Sequence, residues 1–328
     1  MKRREFIMGL GTAAIAWPRP ARAQQAAMPR IGFLHPASPD RYADRLAGIR
    51  QGLKETGFVE GQNVTIEYRW AGNQLDRLPA LAADLVGRKV AVILAAGGES
   101  SALAASAATS TIPIVLAFGG DPVRLGLVAS LNRPGGNITG VTFNTAELAG
   151  KRLDLMGRLV SRTATIAYLA GDQRFMSNRE QSSDTAAAAR TLGTRLIIQE
   201  VRASSDIEAA FEAFSMHQAG GLVVEANALF TSNRAKLVEL AARYMLPAIF
   251  QAREFALDGG LISYGARVAD AWRLAGVYAG RILRGEKPAE LPVQQSTKFE
   301  LIINLITARR LGVEIPPTLQ ALADEVIE

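Results

Sequence analysis

The sequence contains no cysteine and only two histidines, His35 and His217. Without cysteine the chain can form no disulfide bond, no thiolate nucleophile and no cysteine-ligated metal site. The two histidines are far apart and lack the HExxH spacing that places two imidazoles on one helix face. We therefore expect neither a metal ion nor another cofactor, and the hydrophobic core alone must stabilise the fold.

The net charge is small once the N-terminal residues are set aside. The whole chain carries a net charge of +6 at pH 7, but residues 1–23 hold five basic residues against one acidic residue, which leaves about +2 for the remainder. No cluster of basic and aromatic residues forms a binding face, so we expect no nucleic-acid partner. No later apolar run reaches the roughly 20 residues of a bilayer span, so we expect the mature chain not to cross a membrane.

The first 23 residues contain the three parts of an export signal. Paired arginines, Arg3-Arg4, are followed by a mildly apolar run from Ile7 to Trp17 and by the small-x-small sequence Ala21-Arg22-Ala23. This order predicts a signal peptide of the twin-arginine type that is cleaved near Ala23-Gln24. The mature protein is therefore expected in the periplasm.

Strand and helix patterns alternate from Pro29 onward. Val90–Ala95 is a continuous apolar run, typical of a strand that is buried on both faces of a parallel sheet. Tyr42–Gly57 carries apolar residues at helical spacing. After a turn-rich stretch at Arg133–Asn137, the alternation restarts at Arg162. The sequence thus predicts an α/β protein with two doubly wound lobes, related by pattern and not residue by residue.

Ligands of such sheets bind beyond the carboxyl ends of the strands, so the loops after the strands hold the candidate binding residues. We expect two sets of loops to face each other across a cleft for a small molecule. The candidates in the first half are His35, Ser38, Gly98, Glu99, Ser100 and Asp121, followed by Asn144. The candidates in the second half are Asp172, Phe175, Glu225, Asn227, Gln251, Arg253 and Tyr264. None of these residues is expected to be catalytic.

Two of these loops have more than one interpretation. Free N–H groups at Gly97–Ser100, between a buried strand and a helix, suit a carboxylate or phosphate, but the same residues form an ordinary tight turn. Asp121 can meet a ligand ammonium or hydroxyl, although the Asp121-Pro122 pair is also a favourable helix start, and we favour the capping role. The carboxylates of the loops are also compatible with a glycosidase pair.

Several segments carry a family resemblance, and the long block from Asn132 to Gly140 is specific. The segments are Ile112–Val115, Gly119–Val123, Gly126–Gly140, Gly285–Pro292, Lys298–Asn304 and Ala323–Ile327. Through them the chain, from about Arg30 to Glu328, resembles the ABC-transporter substrate-binding protein family that includes aromatic-amino-acid binders. The resemblance implies a type I periplasmic-binding-protein fold with three hinge crossings, a ligand clamped between the lobes, and no catalysis.

The resemblance also implies how the chain divides. Residues 29–142 with about 268–289 would form the N-terminal lobe, and residues 143–267 with about 290–328 the C-terminal lobe. Two positions differ from the family pattern. Gly171-Asp172 replaces an Asn-Pro pair, and Ala252 stands where relatives often carry an aromatic residue.

The function implied by the resemblance is capture of a small polar solute, in the first instance an amino acid, and its delivery to the permease and ATPase of an ABC importer. Helix N-termini and Arg253 would bind its carboxylate. Asp121, Asp172 or Glu225 would bind the amine of the ligand. Phe175, Phe230 or Tyr264 would pack against the ligand side chain. The protein is expected to be a monomer. A periplasmic ligand sensor for a signalling partner and a periplasmic hydrolase are the alternatives.

Overall fold

The computed structural model describes residues 28–143, 145–161 and 163–328. The predicted signal peptide and the candidate Asn144 lie outside the described residues. The strands are β1 Arg30–His35, β2 Thr65–Trp70, β3 Val92–Ala96, β4 Ile114–Phe118, β5 Ile138–Thr142, β6 Thr165–Ala170, β7 Arg195–Glu200, β8 Ala219–Val224, β9 Ala248–Phe250, β10 Ile262–Ala266, β11 Gln294–Gln295, β12 Phe299–Asn304 and β13 Glu325–Ile327. The helices are α1 Ala43–Glu55, α2 Leu78–Gly87, α3 Glu99–Ala108, α4 Thr145–Gly157, α5 Met176–Leu192, α6 Asp206–Met216, α7 Ala228–Ser232, α8 Arg234–Arg243, α9 Arg253–Leu257, α10 Val268–Leu283, α11 Leu305–Leu311 and α12 Pro317–Gln320.

Two sheets organise these elements. The first has the strand order β11-β5-β4-β3-β1-β2, and all its neighbouring strands are parallel. The second has the order β13-β12-β10-β9-β8-β6-β7 and is parallel except for the antiparallel pair β10 and β12. The orders β2-β1-β3-β4-β5 and β7-β6-β8-β9-β10 are the same. The alternation that occurs twice in the sequence therefore corresponds to two lobes of one topology, and the predicted fold class is confirmed.

Each sheet has a hydrophobic cluster on both faces. All residues of β3 and β4 are buried, and successive residues point to opposite faces, as in any strand. Val92 lies in one cluster with Trp272, and Ile93 lies in the cluster on the other face. The second sheet repeats this arrangement, with Leu222 and Val223 on opposite faces. This double coverage explains why these strands read as continuous apolar runs.

Helix α10 follows β10 of the second sheet but packs against α1 on the first. The two helices approach closely because glycines face each other's backbone. A Cβ on Gly52 would overlap the carbonyl oxygen of Arg273, and a Cβ on Gly276 would overlap that of Ile49. The close packing fixes α10 to the first lobe at the point where the chain crosses between lobes.

The strand pairing bears on where the chain returns to the second lobe. β11 pairs with β5 in the first sheet, whereas β12 pairs with β10 in the second. We therefore propose that the chain returns to the second lobe between Gln295 and Phe299, a few residues after the expected boundary at about 290.

Several elements were not indicated by the sequence pattern, among them α4, α9, β10 and β13. In α4 the buried position 152 is an arginine, so the apolar spacing of that helix is interrupted. β10 reads ISYGA, with serine and glycine among its five residues.

Candidate ligand-binding site

The loops at the carboxyl ends of strands from both sheets meet around one cavity of about 140 Å³. Its walls include residues at or just after the carboxyl ends of seven strands: Pro36, Gly97–Ser100, Gly119–Gly120, Gly171–Asp172, Ala226–Asn227, Gln251–Ala252 and Gly265–Ala266. This is the position that the topology favours, because parallel strands end at the same edge of a sheet. One water molecule needs roughly 10–15 Å³ of cavity volume measured in this way. The cavity therefore has room for on the order of ten non-hydrogen atoms.

The predicted site residues divide into two groups of similar size. Those that line the cavity are Gly98, Glu99, Ser100, Asp172, Phe175, Asn227 and Gln251. Those that do not are His35, Ser38, Asp121, Glu225, Arg253 and Tyr264. Asn144 lies outside the described residues. The strand ends were therefore located correctly, but several side chains at them point elsewhere.

The loop before α3 is shaped by two glycines. Gly97 and Gly98 have φ angles of 88° and 152°, which glycine adopts readily and other residues do not. A Cβ on Gly97 would also overlap Nε2 of His35. The glycine loop therefore lies directly over the imidazole and separates it from the cavity.

His35 supports the cavity wall from beneath and is fully buried. Its Nδ1 accepts a hydrogen bond from the Ala37 N–H at 3.1 Å, and its ring packs against Tyr42 and Trp272. Burial, with a smaller contribution from the charge of Arg45, lowers the pKa of His35 well below its usual range. The imidazole is therefore neutral at pH 7, and its position does not support the prediction that it contacts the ligand.

Glu99 reaches across the cavity to the second lobe. Its carboxylate accepts hydrogen bonds from the backbone N–H of Met176 at 3.2 Å and of Ser177 at 2.8 Å, in the first turn of α5. Phe175 precedes this helix and has no side-chain acceptor for these N–H groups. A carboxylate at this end of a helix is also favoured by the helix dipole. Glu99 is thus an interlobe cap as well as a cavity residue.

Three further contacts join the lobes around the cavity mouth. Arg45 Nε lies 3.6 Å from Glu254 Oε1, and Arg124 Nη1 lies 3.0 Å from Glu180 Oε1. The Tyr42 hydroxyl donates to the carbonyl of Ala228 at 3.4 Å. These contacts, with that of Glu99, define a closed arrangement of the two lobes.

Asp172 and Asn227 shape the second-lobe wall. Asp172 is held by Arg174, whose Nε and Nη2 lie 2.9 Å and 2.6 Å from Asp172 Oδ2, and this bond lowers the pKa of Asp172. Asn227 caps α7, since its Oδ1 accepts from the Phe230 N–H at 2.9 Å. Phe230 itself is fully buried in the core rather than exposed to a ligand. Both polar residues thus keep their side chains fixed at the cavity wall.

Glu225 lies behind this wall and is fully buried. It accepts a hydrogen bond from Asn227 Nδ2 at 3.3 Å, and it lies 3.4 Å from the Tyr168 hydroxyl and 3.5 Å from the Ser182 hydroxyl. Burial raises the pKa of Glu225 to about 8. The side chain is therefore protonated at neutral pH, so the predicted role as counterion of a ligand amine does not fit its position.

Arg152 on α4 is a site residue that the sequence did not reveal. It lines the cavity and is completely buried. Its Nε donates to the Tyr264 carbonyl at 3.1 Å and its Nη1 to the Val224 carbonyl at 3.3 Å. Desolvation by burial lowers the pKa of its guanidinium. An arginine within a helical pattern gives no sign of burial, so only the fold identifies it.

Asp121 and Arg253 have structural partners instead of facing the cavity. Asp121 Oδ1 accepts from the N–H of Val123 at 2.8 Å and of Arg124 at 3.2 Å, which is the capping role, although a turn follows rather than a regular helix. Arg253 Nη1 donates to Glu300 at 3.1 Å and its Nη2 to Glu325 at 2.8 Å. Both carboxylates are distant from Arg253 in the sequence, so the sequence pattern did not reveal that they are its partners.

Two remaining candidates lie beside the cavity. Ser38 precedes a short 3-10 turn at Pro39–Arg41. The ring of Tyr264 packs with the core of the second lobe, and only its backbone carbonyl takes part in the site, through Arg152.

The cavity lining also contains aromatic and aliphatic residues from both lobes. They include Tyr42, Leu75, Phe143, Leu148, Phe175 and Trp272. Apolar walls with a few fixed polar groups are typical of sites for small organic ligands. Within the described ranges no group of three or more His, Asp or Glu side chains could hold a metal ion. In the same ranges no helix is long and apolar enough to cross a membrane.

Two α/β lobes of one topology that share a cavity at their carboxyl edges define a two-lobed solute-binding protein. The chain belongs to the ABC transporter substrate-binding protein family, whose model matches residues 30–327. The resemblance seen in the sequence is therefore confirmed, and the protein is a solute-binding component of an ABC transporter.

Three relatives illustrate the similarity. The chain is 26% identical over 267 residues to the tyrosine-binding protein of Clostridioides difficile strain R20291, covering 81% of this chain and 76% of the relative. An ABC domain from Streptococcus pneumonia in complex with L-Trp superposes with a TM-score of 0.82 at 24% identity, over 91% of this chain and 99% of that one. A conserved domain protein from Vibrio cholerae superposes with a TM-score of 0.84 at 23% identity and the same coverage. The last two likenesses show a common fold.

Proposed function

We propose that the protein captures an amino acid in the interlobe cavity and presents it to the permease of an ABC importer. The observation that carries this proposal is the cavity itself, which combines an aromatic wall around Trp272 and Phe143 with fixed polar groups on the second lobe. Such a wall suits an apolar side chain, and the polar groups suit a charged head group. The tyrosine-binding relative and the relative with bound L-Trp support this class of ligand.

In this proposal the ligand binds to one lobe first and then stabilises closure. Contacts such as that of Glu99 with Met176 and Ser177 exist only when the lobes meet. A ligand that touches both walls adds further contacts to the closed state alone, and so it shifts the population toward that state. A permease that recognises the closed form would then distinguish loaded from empty protein.

We propose a binding role without catalysis. The carboxylates that line the cavity are already engaged, Glu99 by two backbone N–H groups and Asp172 by Arg174. Carboxylates whose oxygens already accept hydrogen bonds from fixed donors are poorly placed for proton transfer, so we propose that these two do not form the acid–base pair of a glycosidase. The hydrolase alternative is therefore not favoured.

The proposal includes export and assembly. The signal at residues 1–23 would deliver a monomer to the periplasm, where the permease and ATPase subunits of the importer are its partners. Replacing Arg3 and Arg4 with lysine is expected to retain precursor in the cytoplasm, because the twin-arginine pathway reads the paired guanidinium groups. Mature periplasmic protein at the normal level would show that the general secretory pathway suffices.

The direct test of function is to identify the bound solute. Protein purified under native conditions is denatured, and the released small molecules are analysed by mass spectrometry. We expect one amino acid in near-stoichiometric amount, and calorimetric titration of the refolded, ligand-free chain should then reproduce its binding. Recovery of a sugar instead would retain the solute-binding role and contradict the amino-acid assignment.

A further inference from the structure

The second-lobe wall of the cavity contains two buried side chains with unused hydrogen-bonding groups. Within the described residues, Arg152 Nη2 and both Gln251 Nε2 and Oε1 have no hydrogen-bond partner. Arg152 is 0% exposed and Gln251 is 7% exposed, and both line the cavity. Buried polar groups are nearly always paired, and each unpaired group costs about 1–3 kcal/mol. The cavity wall therefore holds an unsatisfied donor on a charged residue and a whole unsatisfied carboxamide.

The guanidinium of Arg152 is held in a fixed orientation. Its Nε and Nη1 bind the carbonyls of Tyr264 and Val224, which belong to two different strand ends of the second sheet. Both acceptors are neutral carbonyl groups, so they orient the guanidinium without balancing its charge. A fixed fork loses little conformational entropy when its remaining N–H groups bind an acceptor.

The positive charge of Arg152 also lacks an ionised partner at neutral pH. Among the described residues the ionisable groups that act on it are Glu225, Tyr168 and Tyr264. Burial raises the pKa of Glu225 to about 8 and that of Tyr168 well above its usual value. Both groups therefore remain protonated at pH 7, so an anionic ligand group would be the partner that balances the guanidinium charge.

Gln251 is brought to the same part of the wall by the backbone. It follows β9, and a Cβ on Gly265 would overlap the carbonyl oxygen of Gln251. Only glycine therefore allows the loop after β9 to lie against the strand whose Tyr264 carbonyl binds Arg152. One strand end thus positions both unsatisfied side chains.

We propose that Arg152 and Gln251 form the anchor for the carboxylate of the ligand, on the second-lobe side of the cavity. The inference rests on the proposed function, since it assigns the residues that recognise the charged head group. Arg152 Nη2 and Gln251 Nε2 donate to the carboxylate, and Gln251 Oε1 accepts from the neighbouring ammonium of an amino acid. Charge-assisted bonds of this kind are the strong ones, and a guanidinium suits a carboxylate better than an ammonium does.

The anchor is tested with ligands that differ only at the head group. The ligand-free chain is titrated by calorimetry with the twenty L-amino acids and with the amine and the amide of each one that binds, such as tryptamine and L-tryptophanamide for L-tryptophan. We expect the amine and the amide to bind at least about tenfold to a hundredfold more weakly than the acid, the range for a lost charged hydrogen bond. An amine or amide that binds as tightly as its acid would overturn the proposal.

Substitutions provide the second test. Gln251→Glu places a negative charge next to the ligand carboxylate, and Arg152→Lys removes the planar guanidinium. Each substitution should therefore lower the affinity for the amino acid about tenfold or more. Gln62→Glu and Arg88→Lys make the same chemical changes at exposed positions and should retain wild-type affinity. Unchanged affinity in both anchor variants would contradict the inference.

A third variant separates binding from a structural role. Gln251→Leu removes the unsatisfied carboxamide, so the ligand-free melting temperature should stay the same or rise while amino-acid binding is lost. A structural role predicts the opposite, a lower melting temperature, and that result would contradict the anchor even if other variants fail to fold.

The outcomes also separate the anchor from the function on which it rests. Binding of neutral pentoses, with no amino acid bound, would overturn the anchor and leave a solute-binding protein of another specificity. Binding of neither class would contradict the proposed function itself.

Discussion

Glu225 is a carboxyl group that the folded chain keeps away from water, next to Tyr168, Ser182, Asn227 and Arg152. Its pKa rises from 4.5 in a solvated reference to about 8 in the fold. Between these values the unfolded chain has lost the proton and the folded chain retains it. The free energy of unfolding contributed by this group is therefore fully present below about pH 4.5 and is lost as the pH rises toward 8.

We predict that Glu225→Gln removes this pH dependence. Wild-type stability should fall by up to a few kcal/mol between pH 5 and pH 8, and the variant should lose less. Urea unfolding at the two pH values measures the difference. Glu314→Gln, at an exposed position, is the control and should follow the wild type. Parallel pH profiles of Glu225→Gln and wild type would show that Glu225 is already ionised in the fold.

Asp121 allows the capping and ligand-binding interpretations to be separated. Because its carboxylate accepts from the N–H groups of Val123 and Arg124, Asp121→Ala should lower stability by about 1 kcal/mol without changing ligand affinity. Asp121→Asn keeps an acceptor oxygen and should be nearly silent in both measurements. A specific loss of affinity in Asp121→Asn, at unchanged melting temperature, would restore the ligand-binding interpretation.

At the level of elements, the N-terminus of α5 receives its cap from the opposite lobe. We predict that Glu99→Gln weakens this contact, since a neutral amide gains less from the two N–H groups and the helix dipole, a difference of about 0.3–1 kcal/mol. The ligand-free protein should be more open in small-angle scattering, and apparent affinity should fall up to about fivefold because fewer molecules are closed. Equal dimensions and affinity would remove Glu99 from the account of closure.

The packing of α1 on α10 gives a matched pair of glycine substitutions. Gly276→Ala inserts a methyl group against the carbonyl of Ile49 and should destabilise the protein by about 1–3 kcal/mol in urea unfolding. Gly87→Ala, at the end of α2, meets open space and should leave stability unchanged or raise it by up to about 1 kcal/mol. Equal effects would mean that the helices do not depend on this close approach.

The elements also show what a sequence can and cannot reveal. β3 and β4 were predictable because strands buried on both faces consist of continuous apolar residues. The alternation of strands and helices was enough to predict that the site lies at the carboxyl ends of the strands. α4 was not predictable, because its buried residue Arg152 looks like a surface residue in the pattern. The role of Arg253 was wrong in our interpretation because Glu300 and Glu325 become its neighbours only in the fold.

At the scale of the whole molecule, we propose that these features act together in closure of the two lobes. Two lobes are joined by crossings that include the start of α10, and the contacts of Glu99, Arg45 and Arg124 hold them together around the cavity. The pair of Arg124 with Glu180 contributes little, since the arginine side chain is exposed to water. In our proposal a ligand that binds Arg152 and Gln251 on the second lobe also contacts Tyr42 and Trp272 on the first, and so it stabilises the closed state.

The most direct test of this account is small-angle scattering of the ligand-stripped chain, with and without the solute that denaturation releases. We predict a smaller radius of gyration when the solute is added, at one molecule per chain, together with thermal stabilisation of about 2.7 kcal/mol at a hundredfold excess over Kd. An identical radius of gyration in the presence of a tightly bound solute would contradict closure of the lobes around a ligand.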